Sequence, residues 1–596
     1  MCGIFGYFDR SRSSLGQDVL RNAGQAIEHR GPDDHGIFSA EGVALGNQRL
    51  SIIDVAGGHQ PFVSDDGQII VVQNGEIFNH VELAQELAQS GYPCRTHSDT
   101  ETLLRLYERE GIDFLHRLNG MFAIAIFDRR EGALYLARDR VGVKPLYVHD
   151  QGGRIVFGSE IKAMTPMIGG LPDLDVEALH HYLTFNYVPP PFTIRQGTRH
   201  LMPGTAMKVT RDATTTWRWW DLSEVAPEHG RPEADWIEEF NAILEDAVRL
   251  RMRSDVPFGA FLSGGVDSSS IVGLMARQRP EPIKTFCIGF DDPRYDESSF
   301  AQTAADRFAT DHVMERVASD MLDLWPMAIY HCDQPHGDVS FLPTYRVSKL
   351  AAEHVKVVLT GDGGDELFAG YDKYRDFFAA PGVLESDDES FRRQYFDSIS
   401  LFGHEKKLKL YRPATRASMS GVDSFDVARQ WFDQVPHQDR INQALYLDTQ
   451  LLLSGNNLVK PDRMGMAVSI EARTPFLDYR MMEFAFRMPG ELKLRGGVTK
   501  YLYKKAVAPL IGEDLAYRKK QMFTVPVGDW FKGRLSGYCS SHIERLLQTS
   551  SHFEAAPVRK LLEDHVSGEA NNTRELRAVI AVDHSINMAS EAQVAA

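Results

Sequence analysis

Short apolar stretches early in the chain, at 43–45, 69–73, 122–127 and 133–138, alternate with turn residues. Short apolar runs bounded by turn signals predict strands. Helical spacing appears at 83–89 and at 101–108, the latter behind the capping signal Ser98-Asp99-Thr100. Arg49 precedes an apolar run, 50–53, which reads as a further strand. From residue 235 the pattern changes: a helix is expected over 235–253, then a strand at 258–262, a glycine turn and a helix at 268–277. Strands at 284–290 and 355–359 repeat the theme. Strands separated by helical segments predict a parallel α/β sheet, with ligands in the loops at the carboxyl ends of its strands. The two glycine clusters, 263–269 and 360–366, fall at such ends.

The 596 residues are too many for one core. Pro189-Pro190-Pro191 and the polar stretch 210–232 mark a connection. The expected layout is a β-rich domain over 2–190, a connection over 191–234 and an α/β domain over 235–590, with a polar helical insertion at 381–435. The tail after Asn587 is expected to fray. A hydrophobic content of 43% and a charged content of 25% are those of a folded protein. The net charge of −17 argues against nucleic-acid and anionic-membrane partners. No apolar run reaches the ~18 residues of a membrane helix, and the N-terminus lacks a secretory pattern, so a cytoplasmic location is expected. Of the five cysteines, at 2, 94, 287, 332 and 539, none is near enough to another for a zinc knuckle or redox pair. Four read as reduced, mostly buried thiols, and Cys2 stands apart.

If Met1 is removed, Cys2 carries a free α-amine beside its thiol. With a pKa of ~7.7–8.0 that amine is partly neutral at pH 7 and can serve the thiol as base. Taken singly, its companions have ordinary readings: Arg49 a surface ion pair, Asn74-Gly75 a hairpin turn, Asp99 a helix cap. Together, Met1-Cys2-Gly3-Ile4, His29-Arg30-Gly31-Pro32-Asp33, Asn74-Gly75-Glu76 and Ser98-Asp99-Thr100-Glu101 resemble the class II glutamine amidotransferases, the N-terminal nucleophile family. The resemblance covers about the first 190 residues and implies an αββα sandwich. It implies that Cys2 attacks the glutamine amide, that Arg49 pairs with the substrate carboxylate, and that Asp99 and Glu76 hold its ammonium. The Asn74 amide and the Gly75 N–H would form the oxyanion hole.

In the second half, Ser263-Gly264-Gly265-Val266-Asp267-Ser268-Ser269 lies between a strand and a helix. Its hydroxyls and N–H groups suit an anion at a helix N-terminus. No Lys-Ser/Thr follows the glycine pair, so this is not a Walker A loop. It resembles the pyrophosphate loop of ATP pyrophosphatases, which implies an adenylated intermediate. Thr360-Gly361-Asp362-Gly363-Gly364-Asp365-Glu366 is the second cluster. Carboxylates beside an ATP site are natural Mg²⁺ ligands, and Asp267 and Asp365 are the candidates.

Asp462-Arg463-Met464-Gly465-Met466, the segment 471–478 and Arg518-Lys519-Lys520-Gln521-Met522-Phe523 extend the likeness, so that nearly the whole chain resembles the glutamine-hydrolysing asparagine synthetases. That resemblance implies ATP and Mg²⁺, glutamine and aspartate as substrates, a homodimer, and an ammonia tunnel between the sites. Lys520 would stabilise the pyrophosphate leaving group. Ser263, Gly264, Gly265 and Ser268 would cradle the phosphates, Leu262 and Ile288 would line the adenine pocket, and Thr360-Gly361 would contact the nucleotide. Asp362 stands where well-known bacterial members carry Glu, and would position the acceptor or take a proton from the attacking ammonia. This departure and the 381–435 insertion leave open a different acceptor: a peptide, sugar acid or metabolite carboxylate. A non-catalytic sensor is opposed by the presence of Cys2, Asp267 and Lys520. Transfer to a sugar phosphate is opposed by the 263–269 loop.

Overall fold

A computed structural model describes residues 2–317, 321–519, 527–533 and 535–587. Lys520 through Phe523 and the tail after Asn587 lie outside the described residues. The first twelve strands among them are Cys2–Asp9 (β1), Asp34–Ala40 (β2), Val43–Arg49 (β3), Phe62–Val63 (β4), Ile69–Ile77 (β5), Gly120–Asp128 (β6), Ala133–Arg138 (β7), Tyr147–Asp150 (β8), Arg154–Gly158 (β9), Thr198–His200 (β10), Thr205–Val209 (β11) and Thr214–Arg218 (β12). They make two antiparallel sheets, ordered β10-β8-β9-β1-β3-β2 and β12-β11-β7-β6-β5-β4.

The period of two sorts their side chains. Ile4 and Phe8 meet Ile70, Val72, Ala123 and Ala125 between the sheets. Phe5 and Tyr7 point the other way, onto the helices Gln17–Gln25 and Ile161–Ile168. Ile69, Val71 and Ile124 lie under the helices His80–Gln89 and Asp99–Glu110. The result is the helix–sheet–sheet–helix sandwich.

Two expectations are corrected. Residues 50–53 form no strand: the Arg49 guanidinium donates to the carbonyls of Ile53 (3.0 Å) and Asp54 (2.8 Å), curling the chain back. The apolar run instead packs Leu50 and Ile52 against Val357 and Met466 of the other domain. The range 191–234 is not simply a connection, because β10, β11 and β12 lie in it and complete the two sheets. Strand β12 reads as polar because it is a sheet edge with exposed threonines. Before that return the chain visits the other domain. Helix Val176–Phe185 buries Leu179, Tyr182 and Leu183 in a core with Phe286, Trp325 and Ile580.

The second domain is built on Phe258–Phe261 (β13), Lys284–Phe290 (β14), Asp311–Val317 (β15), Val357–Leu359 (β16) and Glu471–Arg473 (β17). These form a parallel sheet ordered β15-β14-β13-β16-β17. Strand order reverses between β13 and β16, the switch point at which parallel sheets form their binding crevice. Helix Val266–Gln278 follows β13, and Glu233–Arg251 precedes it. The 381–435 segment is helical as expected, with Asp388–Ile399, His404–Leu410, Pro413–Met419 and Phe425–Phe432. Its Phe391, Tyr395, Trp431 and Phe432 belong to the domain core. Among the described residues no helix is long and apolar enough to cross a membrane.

Candidate active site

Two clusters stand out, one at the start of β1 and one in the crevice. Cys2 is buried opposite Arg49 in the β1–β3 ladder. Its backbone nitrogen donates to Asn74 Oδ1 (3.2 Å), and the Asn74 amide nitrogen donates to Ser159 Oγ (3.2 Å). Burial pushes the Cys2 thiol up, with Asn47 and Arg49 pulling against it. Gln60 Nε2 lies 3.9 Å from Cys2 Sγ. Gly75 has φ +146°, and a Cβ there would fall 1.9 Å from the Met121 carbonyl oxygen, so only glycine fits beside Asn74.

Arg49 also holds the Val55 carbonyl (3.3 Å), and a Cβ on Gly58 would strike its guanidinium at 2.2 Å. Asp99, at the head of its helix, accepts from Gln73 Nε2 and the Ile77 N–H, both at 3.0 Å. Glu76 lies 3.7 Å from Arg473 of the second domain. Burial raises the Glu76 carboxyl well above its usual range, and the nearby charges of Glu471 and Asp99 add to this. The structure thus gathers Cys2, Arg49, Asn74, Gly75, Glu76 and Asp99 at one end of the sandwich. Sequence reasoning missed Ser159 and Gln60, which orient Asn74 and contact the thiol; single polar residues of common type carry no signal of their own.

In the crevice, Ser263 and Ser268 face each other (Oγ–Oγ 3.2 Å), and the Gly265 N–H donates to Ser263 Oγ (3.3 Å). Gly264 has φ +68° and no room for a side chain against Phe300. Arg518 ties this loop down, donating to the Gly264 carbonyl (2.8 Å) and to Glu297 (2.8 Å). Leu262, just after β13, and Ile288, in β14, are buried. Gly361 lets the two loops touch: a Cβ there would lie 2.6 Å from Asp267 Cβ. Thr360 Oγ1 donates to Asp362 Oδ2 (2.7 Å), and burial raises the Asp362 carboxyl.

Asp267 and Asp365 do converge, and a lysine joins them. Lys500 Nζ sits 2.6 and 2.7 Å from the two Asp267 oxygens and 2.7 Å from Asp365 Oδ1. Burial lowers its pKa, but the two carboxylates outweigh that and raise it, so the ammonium stays charged. Lys500 has φ +53°, rare for a lysine, and Gly370 clears its path: a Cβ there would lie 2.1 Å from Lys500 Cε. The signal available in sequence was a cation at a helix N-terminus, which the helix dipole disfavours.

Buried charges join the two domains beside Cys2. Arg30 Nε donates to the Cys2 carbonyl (3.2 Å), while its other nitrogens hold Asp462 (2.9 and 3.0 Å) and Glu160 (2.9 Å). Glu160 also pairs with Arg463 (2.8 Å).

The family model for asparagine synthase matches residues 239–590, and that for the glutamine amidotransferase domain matches 1–220. Bacillus subtilis glutamine-hydrolysing asparagine synthetase 1 is 33% identical, over 99% of this chain and 97% of its own. The chain belongs to the asparagine synthase family. It is a glutamine-dependent ligase of the amidotransferase type, and ATP is the co-substrate in this asparagine synthetase family. A putative asparagine synthetase of Methanocaldococcus jannaschii is 37% identical over 62% of this chain and 76% of its own. A Penicillium rubens protein named amidase chyE is 27% identical over 87% of this chain and 86% of its own. The amidotransferase match runs to residue 220, past β12, in keeping with the sheet order.

Proposed function

We propose that the chain frees ammonia from glutamine at Cys2 and attaches it to the side-chain carboxylate of aspartate, which it first adenylates with ATP. The observation that carries this reading is the crevice, where a hydroxyl-lined loop without a Walker lysine brings its Asp267 to Asp365 of the second glycine cluster. Asp267 and Asp365 suit Mg²⁺, since three of their oxygens already converge on one cation; bound there, Mg²⁺ would neutralise phosphate charge. At the other site Glu76 and Asp99 repel each other in a buried setting, which a substrate ammonium relieves. Arg49 offers its guanidinium to the substrate carboxylate. Asn74 and Gly75 flank the thiol and stabilise the oxyanion of the tetrahedral intermediate. Ammonia moves inside the domain interface, because ammonium formed in water at pH 7 is a poor nucleophile.

The test is product analysis with aspartate against a panel of carboxylates. AMP and pyrophosphate are expected, in a Mg²⁺-dependent reaction; ADP and phosphate would remove the adenylation step. The amidase-named relative supports a second reading in which the chemistry is kept and another carboxylate is amidated. The panel separates the two. An Asn74→Ala variant is expected to slow glutamine hydrolysis about 10²–10³-fold, the cost of one oxyanion donor. An unchanged hydrolysis rate would take Asn74 out of that role.

A further inference from the structure

A second polar cluster, not used above, borders the crevice. Lys460, at the head of helix Val459–Met466, donates to Ser340 Oγ (2.9 Å) and lies 3.4 Å from Asp338 Oδ2. Asn456 Nδ2 reaches the same Asp338 oxygen at 3.4 Å, and Asn456 Oδ1 is buried without a hydrogen-bond partner among the described residues. Arg577, on helix Thr573–Ile586, is a second cation acting on Asp338, and its Nε is likewise buried and unpartnered. Burial pushes the Asp338 carboxyl up, but Lys460, Ser340 and Arg577 outweigh it and hold the group ionised.

Residues Thr449–Asn457 form a π-helix, a form that recurs at functional sites. Its last turn brings Asn456 and Asn457 inward together. Asn457 donates to Glu366 of the second glycine cluster, and Glu366 also accepts from Tyr371 OH (2.6 Å). Lys460 is among the charges felt by Asp362. The cluster therefore adjoins the loop that faces the acceptor, and the side chains of Asp338 and Lys460 remain 28% and 20% exposed. It sets Lys460 and, through its charge, Arg577 against the Asp338 carboxylate, with the Asn456 amide and the buried His336 beside them. A ligand that suits it brings one carboxylate for the cations and N–H donors for Asp338, within reach of the Asn456 amide.

We propose that Asp338, Asn456, Lys460 and Arg577 bind the α-amino and α-carboxylate groups of the acceptor, selecting an α-amino acid over other carboxylates. This rests on the adenylation reading above and names the head group that the acceptor must carry.

The test is pyrophosphate release with aspartate and with succinate, which is aspartate without its amine. Lys460→Met and Arg577→Met are each expected to raise the KM for aspartate about tenfold or more while the KM for ATP holds. Lys460→Arg should recover most of the loss. Asp338→Asn should cost aspartate more than succinate, so that the ratio of their kcat/KM values falls. An unaltered aspartate KM in both methionine variants, or equal losses for aspartate and succinate in Asp338→Asn, overturns the proposal. If the wild type adenylates some other carboxylate and not aspartate, the acceptor named under the proposed function is wrong. The head-group site then stands if that acceptor is an α-amino acid whose KM the same variants raise, and falls if it carries no amino–carboxylate pair.

Discussion

A Cys2→Ala enzyme is expected to lose glutamine-driven amidation by about 10⁴-fold or more, the scale for removing a nucleophile, and to keep amidation driven by ammonium salts. Alanine preserves what the backbone of residue 2 does. Its nitrogen can still donate to Asn74 and its carbonyl can still accept from Arg30, so the link through Arg30 to Asp462 survives. Only Sγ is lost, and its neighbours are Gln60, Asn47, Arg49 and the Leu50 backbone, all of the first domain. The measurement is product formation with glutamine and with ammonium chloride in parallel. Glutamine-supported synthesis near the wild-type rate would end the assignment of Cys2 as nucleophile. Loss with both nitrogen sources would show that residue 2 also shapes the adenylating site.

Lys500→Met should be the most damaging single change in the second domain. The ammonium it removes is the shared partner of Asp267 and Asp365, each of which has an oxygen within 2.7 Å of it. Breaking a buried ion pair from one side costs about 3–5 kcal/mol, so reduced stability and loss of synthesis are both expected. A double variant separates the two effects. Asp365→Asn added to Lys500→Met removes half of the stranded charge and should restore much of the stability, measured by denaturant unfolding, without restoring synthesis. Recovery of synthesis in that double variant would mean that Lys500 serves folding alone. Full stability in Lys500→Met would mean that the carboxylates do not need it.

Legibility followed the distance between cooperating residues along the chain. Cys2, Asn74, Gly75 and Asp99 lie in compact motifs; the strand at β5 and the helix after Ser98 were legible, while β1, which carries Cys2, was not among the expected strands. The 263–269 and 360–366 loops could be placed because strand ends in a parallel sheet are predictable sites. Lys500 was invisible because its partners are 233 residues away at Asp267 and on another loop at Asp365. Strand β17 escaped because it is three residues long, two of them charged, and reads as polar although all three are buried. Strand β15 alternates weakly and sits at the sheet edge, so exposure blurs its pattern. The apolar run 50–53 misled because its buried residues face another domain rather than a neighbouring strand.

The shared interface also decides how this protein can be cut and recombined. A fragment ending at residue 220 would carry helix Val176–Phe185 with Leu179, Tyr182 and Leu183 stripped of their core. It would leave Arg30 with Glu160 but without Asp462, and Glu76 without Arg473, so two buried groups lose a partner to the discarded piece. The glutaminase half is therefore not a portable cassette. A chimera that grafts it onto a relative's synthetase half has to import Asp462, Arg463, Glu471 and Arg473 with it, together with the apolar groove that receives the crossing helix.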